Sequence, residues 1–358
     1  MTGLLYSDVE SELRSELRAM LRDHCDPAAR IERDDAVDVD LWRRLARDMG
    51  LAGLLVPEHL GGAGAGPREA AVVCEELGRA VAPVPFLGCA VVAGTALLSC
   101  GEPDLVAGLA AGERPVALAV PFATPPAHAW SPTVTVAGDR LTGSVRAVAD
   151  ATIADVLLVP AGRGLFAVDN SGVRREQCTS LDETRRLCDL SFEGAPGRLL
   201  AEGADAEAAV RSAVLAGAAL LASEQVGVAE WCLDTTVEHV RGRYQFGRPI
   251  GSFQAVKHRL ADVWVAVTQA RAVARYAASA LATQSEVDLA AALAQAHCSP
   301  VAVEAAEACV QLHGGIGMTW EHRAHLYLKR ARSAAVAYGP ADVHRARLAE
   351  LVDLPPAL

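Results

Sequence analysis

Aromatic side chains are scarce in this chain, making up 4% of its 358 residues. A core built without them must pack alanine, leucine and valine, which favours closely spaced helices. Excess positive charge is also missing. The net charge is −11 with no basic stripe, which argues against a nucleic-acid partner. The nine cysteines form no CxxC pair. They read as reduced, buried cytosolic thiols rather than a disulfide framework or a zinc site. Met1 to Glu10 lacks a basic segment followed by an apolar one, so no secretory leader is expected. No run reads as long and apolar enough to span a bilayer. These absences point to a cytoplasmic globular protein. Its length allows two or three domains, and a hydrophobic share of 51% allows a sizeable core.

What is present changes character twice along the chain. Up to about residue 114 the pattern is helical. Asp8 to Arg22 has apolar residues at helical spacing, Leu41 to Ala46 continues it, and Pro67 to Arg79 forms another helix. Between them Gly50 to Gly64 is broken by proline and glycines, as a loop. Residues 115–204 read as a small β domain. Pro115–Pro121, Thr133–Val136, Leu141–Gly143, Ala154–Val159, Leu165–Val168 and Leu187–Phe192 are strand-like, with a hairpin signal at Gly138-Asp139. Residues 205–358 are helical again: Ala206 to Val228, Glu230 to Arg243, Ser252 to Ala282 and Val287 to Leu312, with Pro300 expected to kink or restart the last. A C-terminal four-helix bundle follows.

Two composite motifs stand in that last region. One is Arg243-Tyr244-Gln245-Phe246-Gly247 followed by Phe253-Gln254; the other is Gln311-Leu312-His313-Gly314-Gly315-Ile316-Gly317. A glycine turn between helices exposes backbone N–H groups that suit a diphosphate. Arg243 is a fixed cation able to pair with phosphate oxygens. In order and spacing these motifs resemble the acyl-CoA dehydrogenase family of flavoproteins, and so do the Leu54-to-Gly64 loop and Glu75-Glu76-Leu77-Gly78-Arg79. The resemblance covers nearly the whole chain. It implies a helical domain, a middle β domain and a helical bundle, with FAD held across a subunit interface. It also implies an acyl-CoA or other acyl thioester as substrate and an electron-transfer flavoprotein as acceptor. Carried over by motif, Arg243, Gln245, Phe246, Gln254, Gln311, Gly314 and Gly315 are the expected flavin contacts. Gln254 fits simple helix packing equally, and Phe246 fits core.

The chain departs from the family pattern around the reaction itself. Phe122-Ala123-Thr124-Pro125-Pro126 replaces the family's acidic segment after the first strand, and Val145 to Ala149 replaces its Trp followed by Thr or Ser. The family's catalytic carboxylate occupies one of two positions. Here those hold Gly339 and Arg211, with Asp342 and Glu224 as the nearest displaced acids. Three readings stay open: a base-lacking subunit of a hetero-oligomer, a self-sufficient homo-oligomeric dehydrogenase with a displaced base, or other chemistry or a flavin-free structural role on the same fold. His313, His322 and Glu321 read as packing, surface or helix-end residues.

Overall fold

The computed structural model describes residues 4–33 and 37–355. Helix α1 (Asp8–His24) starts from a reciprocal cap. The Ser7 hydroxyl accepts from the Glu10 N–H at 3.1 Å, and the Glu10 carboxylate accepts from the Ser7 N–H at 2.6 Å. Helices α2 (Pro27–Glu32) and α3 (Val39–Arg43) follow, each with an aspartate at the N-cap. After turns through the glycine loop come α4 (Pro67–Ala80), α5 (Gly94–Cys100) and α6 (Pro103–Ala110).

The chain then enters one eight-stranded sheet: β1 (Val116–Leu118), β2 (Val134–Ala137), β3 (Arg140–Ala149), β4 (Val156–Ala161), β5 (Gly164–Val168), β6 (Val173–Gln177), β7 (Leu187–Pro196) and β8 (Arg198–Glu202). Its order is β6-β7-β3-β2-β4-β5-β8, with β1 parallel to β4. Alternate residues of β3 and β7 point inward, and Leu141, Leu190 and Phe192 fill a separate small core with Val159 and Val168.

Helix α7 (Ala204–Gly242) leaves the sheet and runs through the bundle, joined by α8 (Gln254–Thr283), α9 (Val287–His313), α10 (Ala324–Ala334) and α11 (Ala341–Leu351). The main core spans both helical regions. Helix α7 corrects two expectations. It is one continuous helix, not two. It also contains a stretch with mean hydropathy 1.4, long and apolar enough by length and composition to cross a membrane. That stretch is 94% buried inside the protein, as the central helix of a bundle is. Helix α9 also runs unbroken through Pro300. The carbonyl that proline leaves without its usual donor belongs to Ala296, and Arg345 donates to it at 3.4 Å.

Two glycines set how closely the N-terminal helices approach α7. A Cβ on Gly78 would lie 2.2 Å from the Glu224 carbonyl oxygen, and one on Gly227 would lie 1.9 Å from the Glu75 carbonyl oxygen. The α4 and α7 backbones therefore cross in direct contact, and alanine at either point would wedge them apart. Gly227→Ala is expected to destabilise the fold by about 2–3 kcal/mol in urea unfolding, the usual cost of overpacking.

A second link joins α1 to α8. The buried Glu10 carboxylate accepts from Arg275 at 2.6 Å and from Arg68 at 3.0 Å. Burial alone would raise its pKa; the bonds from Arg68, Arg275 and the Ser7 N–H outweigh it and bring it down to about 2. A folded pKa below the unfolded value of 4.5 gives stability that is complete above that value and lost as pH falls toward 2. Glu10→Gln should therefore flatten the fall of Tm between pH 4.5 and 2 relative to the native chain, and should lower Tm at neutral pH.

Candidate flavin site and reaction centre

The Arg243 segment forms a tight hairpin where α7 ends. Strand β9 (Tyr244–Gln245) pairs with β10 (Arg248–Pro249), Gln245 opposite Arg248. The two loop residues, Phe246 and Gly247, have φ of +52° and +76°, the backbone of the mirror-image turns that close two-residue hairpins. A phenylalanine in that conformation is uncommon, and this one is 89% exposed. Phe246 is thus not core. It meets Phe253 edge-on at 6.2 Å, while the Arg248 guanidinium lies 3.9 Å from the Phe253 ring centre. Arg243 caps α7 through its N–H to the His239 carbonyl at 2.9 Å. Its side chain is exposed and has no ion pair among the described residues. Gln254 is exposed at the first position of α8.

The glycine turn lies where α9 ends. Gly314 has φ +64°, and a Cβ on Gly314 or Gly315 would meet nothing within 4 Å. Both glycines and Gln311 face open space, so a ligand can approach the backbone there. Gly317, by contrast, is packed, with Val310 O 2.6 Å from its absent Cβ. The two motifs share one end of the bundle because His239 of α7 stacks on His313 of α9 at 4.3 Å, and His313 meets His322 at 4.2 Å. Burial, the other two imidazoles and Arg243 hold His239 below its ordinary pKa. His313 also touches the Cys309 thiol at 3.6 Å. All nine cysteines are free, six buried and three half-buried. The open glycines, the exposed Arg243 and the exposed Phe246 together fit a diphosphate with an attached aromatic base.

The sheet offers a second surface. A cavity of about 410 Å³ lies past the end of β1, lined by Val120, Pro121, Thr124, Pro125, Ser131 and Val145 among others. It is apolar and carries no aromatic wall from β3. There the register slips between Val145 and Val148, and Ala147 takes φ +52°. Asp189 accepts from the Ala147 N–H at 2.7 Å and faces Arg146 at 3.5 Å. Trp130 packs half-buried on the main core.

The expected base positions hold no free carboxylate. Gly339 has φ +101°, and a Cβ there would lie 2.9 Å from Pro125 Cβ and 3.3 Å from His344 Nε2. The loop is pinned by the Tyr338 N–H donating to the Phe122 carbonyl at 2.9 Å and by His344 Nε2 contacting the Tyr338 carbonyl oxygen at 2.9 Å. Asp342 is exposed in the first turn of α11, while Val343, His344 and Arg347 of that helix line the small space under Pro125. Arg211 pairs with Asp288 across α7 and α9.

Glu224 is buried between two arginines: it accepts from Arg185, and from Arg330 Nη1 at 3.4 Å. Burial would raise its pKa, but the two guanidinium charges and their hydrogen bonds bring it below the ordinary value. Sequence reasoning named Glu224 only as a displaced acid and did not join it to these arginines. The cluster's only signal was an Asp-Glu-Thr-Arg-Arg loop before a strand, and the partners lie 39 and 106 residues away.

Comparison with known proteins agrees with this layout. The acyl-CoA dehydrogenase N-terminal domain family matches residues 7–107, and the C-terminal domain family matches residues 208–352. The chain is 37% identical to the acyl-CoA dehydrogenase IpdE2 of Mycolicibacterium smegmatis, over 93% of this chain and 96% of that protein. The ChsE4-ChsE5 complex from Mycobacterium tuberculosis has a similar chain, with TM-score 0.87 and 29% identity over 99% of this chain and 100% of that one. A variant of the Tcur3481-Tcur3483 steroid ACAD is similar as well, with TM-score 0.84 and 31% identity over 97% and 98% of the two chains. With both end domains matched and the three-part fold in place, the chain belongs to the acyl-CoA dehydrogenase family.

Proposed function

We propose that the chain is the base-lacking subunit of a hetero-oligomeric, FAD-dependent dehydrogenase that introduces a Cα–Cβ double bond into an acyl thioester. The observation that carries this reading is Gly339. It stands where a family carboxylate would, in a left-handed backbone conformation, with Pro125 in the space a side chain would need. A general base must reach the proton it removes, and neither Gly339 nor Arg211 can take one. Glu224 is committed to two guanidiniums, and Asp342 lies outside the cavity that its helix neighbours line. The carboxylate then comes from a related partner chain.

Bound flavin would supply the hydride acceptor for this reaction. This chain's own part is to bind and orient it. Arg243 would neutralise phosphate charge, Gly314 and Gly315 would present N–H groups, and Gln245, Phe246 and Gln311 would meet the adenosine side. Gln254, exposed beside them at the start of α8, would meet the same ligand. All of these residues sit at the outer end of the bundle, among exposed apolar side chains such as Met318 at 78% and Trp320 at 75%. Such a patch supports a subunit interface there. A related acyl-CoA dehydrogenase chain is the proposed partner and an electron-transfer flavoprotein the proposed acceptor. Two similar structures, a steroid ACAD and the ChsE4-ChsE5 complex, support both the paired-subunit reading and a polycyclic acyl group.

The visible spectrum tests this, with the chain alone and co-purified with a family member encoded beside it, each then given acyl-CoA without oxygen. The expected result is flavin that substrate bleaches only in the paired sample. Bleaching in the chain alone would sink the base-lacking reading. Arg243→Ala should weaken flavin retention by the pair about tenfold or more, the scale of one charge-assisted hydrogen bond; unchanged retention would remove Arg243 from the site. Glu224→Gln separates counter-ion from base. As a counter-ion its loss should cost about 3 kcal/mol of unfolding free energy. A catalytic base would instead lose turnover at unchanged stability.

A further inference from the structure

Four guanidiniums from three helices converge on one cavity of about 320 Å³. Arg18 and Arg22 come from α1, Arg79 from the last turn of α4, and Arg323 from the start of α10. No residue that lines it belongs to the two motifs or to the loop around Gly339. One carboxylate borders it, Glu76, and that one is buried and already matched. Arg18 donates to it at 2.7 and 2.6 Å, and Arg14 faces it at 3.5 Å. The aspartates that pair with the other three arginines stand outside the cavity. Asp23 lies 3.1 Å from Arg22, Asp234 lies 2.8 Å from Arg79 and Asp26 lies 3.3 Å from Arg323, and all three aspartates are exposed. Exposed pairs of this kind are weak and screened by salt. In them Arg22 and Arg323 each use one of five N–H donors. Positive charge therefore stays available inside the cavity, although the chain as a whole has a net charge of −11. A cleft lined by one sign of charge concentrates ions of the other.

The remaining wall is flat and held in place. The Trp231 indole lies on the Tyr327 ring, with ring centres 3.5 Å apart and planes within 3°. The Tyr327 hydroxyl donates to the Arg79 carbonyl at 2.6 Å, which ties α10 to α4 and fixes the aromatic pair beside the arginines. Leu21 and Ala80 extend the apolar side. Such a wall suits a planar ring. Several guanidinium forks suit the oxygens of a phosphate dianion better than a singly charged carboxylate. A volume of about 320 Å³ stands at the low end of ligand pockets. It takes a molecule of mononucleotide size and is too small for a whole acyl-CoA.

We infer that this cavity binds a phosphate monoester carried on a planar ring, with Arg22, Arg79 and Arg323 on the phosphate and the Trp231–Tyr327 pair beside the ring. Arg18, held by Glu76, adds charge from a fixed position. The site is separate from the proposed flavin contacts and does not depend on the subunit reading.

Calorimetry on the full chain tests this with three probes: AMP, adenosine (the ring without phosphate) and ribose 5-phosphate (the phosphate without the ring). AMP is expected to bind about tenfold or more tightly than either, and to weaken as salt is raised. The double variant Arg22→Gln/Arg323→Gln should weaken AMP binding about a hundredfold, the loss of two charge-assisted hydrogen bonds. Its Tm should not change, because the two side chains are 74% and 52% exposed. Arg22→Lys/Arg323→Lys should keep part of the affinity. AMP is also a fragment of FAD, so the titrations are repeated in Arg243→Ala, where binding at this cavity is expected to persist. No binding of AMP, equal binding of adenosine or of ribose 5-phosphate, an affinity that survives the glutamine variant, or loss of AMP binding in Arg243→Ala would each overturn the inference. Flavin retention by the paired subunits is a separate readout and tests the subunit reading alone.

Discussion

One buried guanidinium holds the three parts of the molecule in register. Arg330 of α10 donates to the Ala82 carbonyl after α4 at 3.1 Å, to the Thr184 hydroxyl at 3.0 Å and carbonyl at 3.2 Å in the β-domain loop, and to Glu224 of α7 at 3.4 Å. Asp182 adds a second carboxylate at 3.3 Å, and Arg185 brings a second guanidinium onto Glu224. Burying four charges is costly, and the arrangement holds because each finds opposite charge or a carbonyl. A hydrophobic replacement could match its stability but not its geometry. A guanidinium has several fixed donor directions, and here they point at three separate segments of chain. The Arg185 guanidinium also lies 5.5 Å from the Phe122 ring centre, and Phe122 meets Tyr338 edge-on at 5.8 Å. The position of the proline turn over Gly339 thus follows from this cluster.

The fold was readable wherever one face of an element is wet. Strand β7 alternates because it sits mid-sheet with one side on the small core, and β3 alternates up to the slip after Val145. Strands β6 and β8 went unread. Both are outermost in the sheet, and Val173-Arg174-Arg175-Glu176-Gln177 and Arg198-Leu199-Leu200-Ala201-Glu202 carry the charges that edge strands use to avoid further pairing. Their evidence is partner register, which a single sequence does not display. The split placed in α7 near Glu230 has a similar origin. That glutamate interrupts the apolar pattern yet lies buried, held by Arg271 and faced by Arg79 at 3.8 Å. A charge inside a helix marks its end only if no partner waits in the core.

The two motifs near the end of the bundle were readable because they depend on backbone conformation. Glycines at 247 and 314 take positive φ, and motif spacing follows helix ends. What the motifs did not reveal is how differently the two glycines of the second turn behave from the third: Gly314 and Gly315 face open space, while Gly317 is there to let the chain pass Val310. Phe246 is another case. Its type suggests core, but its φ and its place at a hairpin tip force it outward. At the two positions where the family resemblance expects a carboxylate, the sequence displays Gly339 and Arg211 without showing what packs around them.

What packs around Gly339 is the decisive physical point. There the chain lacks more than one side chain. The backbone is left-handed, which disfavours any β-carbon, and Pro125 Cβ lies only 2.9 Å from where that carbon would go. Pro125 is in turn fixed by the Phe122–Tyr338 contact and by a three-residue helical turn, Pro126–His128, that follows it. Returning a glutamate to this position would require a changed loop as well as a changed residue. The opposite end of the same bundle shows the reverse: glycines with room beside them, an arginine with no ion pair among the described residues, and apolar side chains facing solvent. Packing has closed the loop around Gly339 and left the end that carries the two motifs open, which is the division of labour the proposed partner-dependent subunit would need.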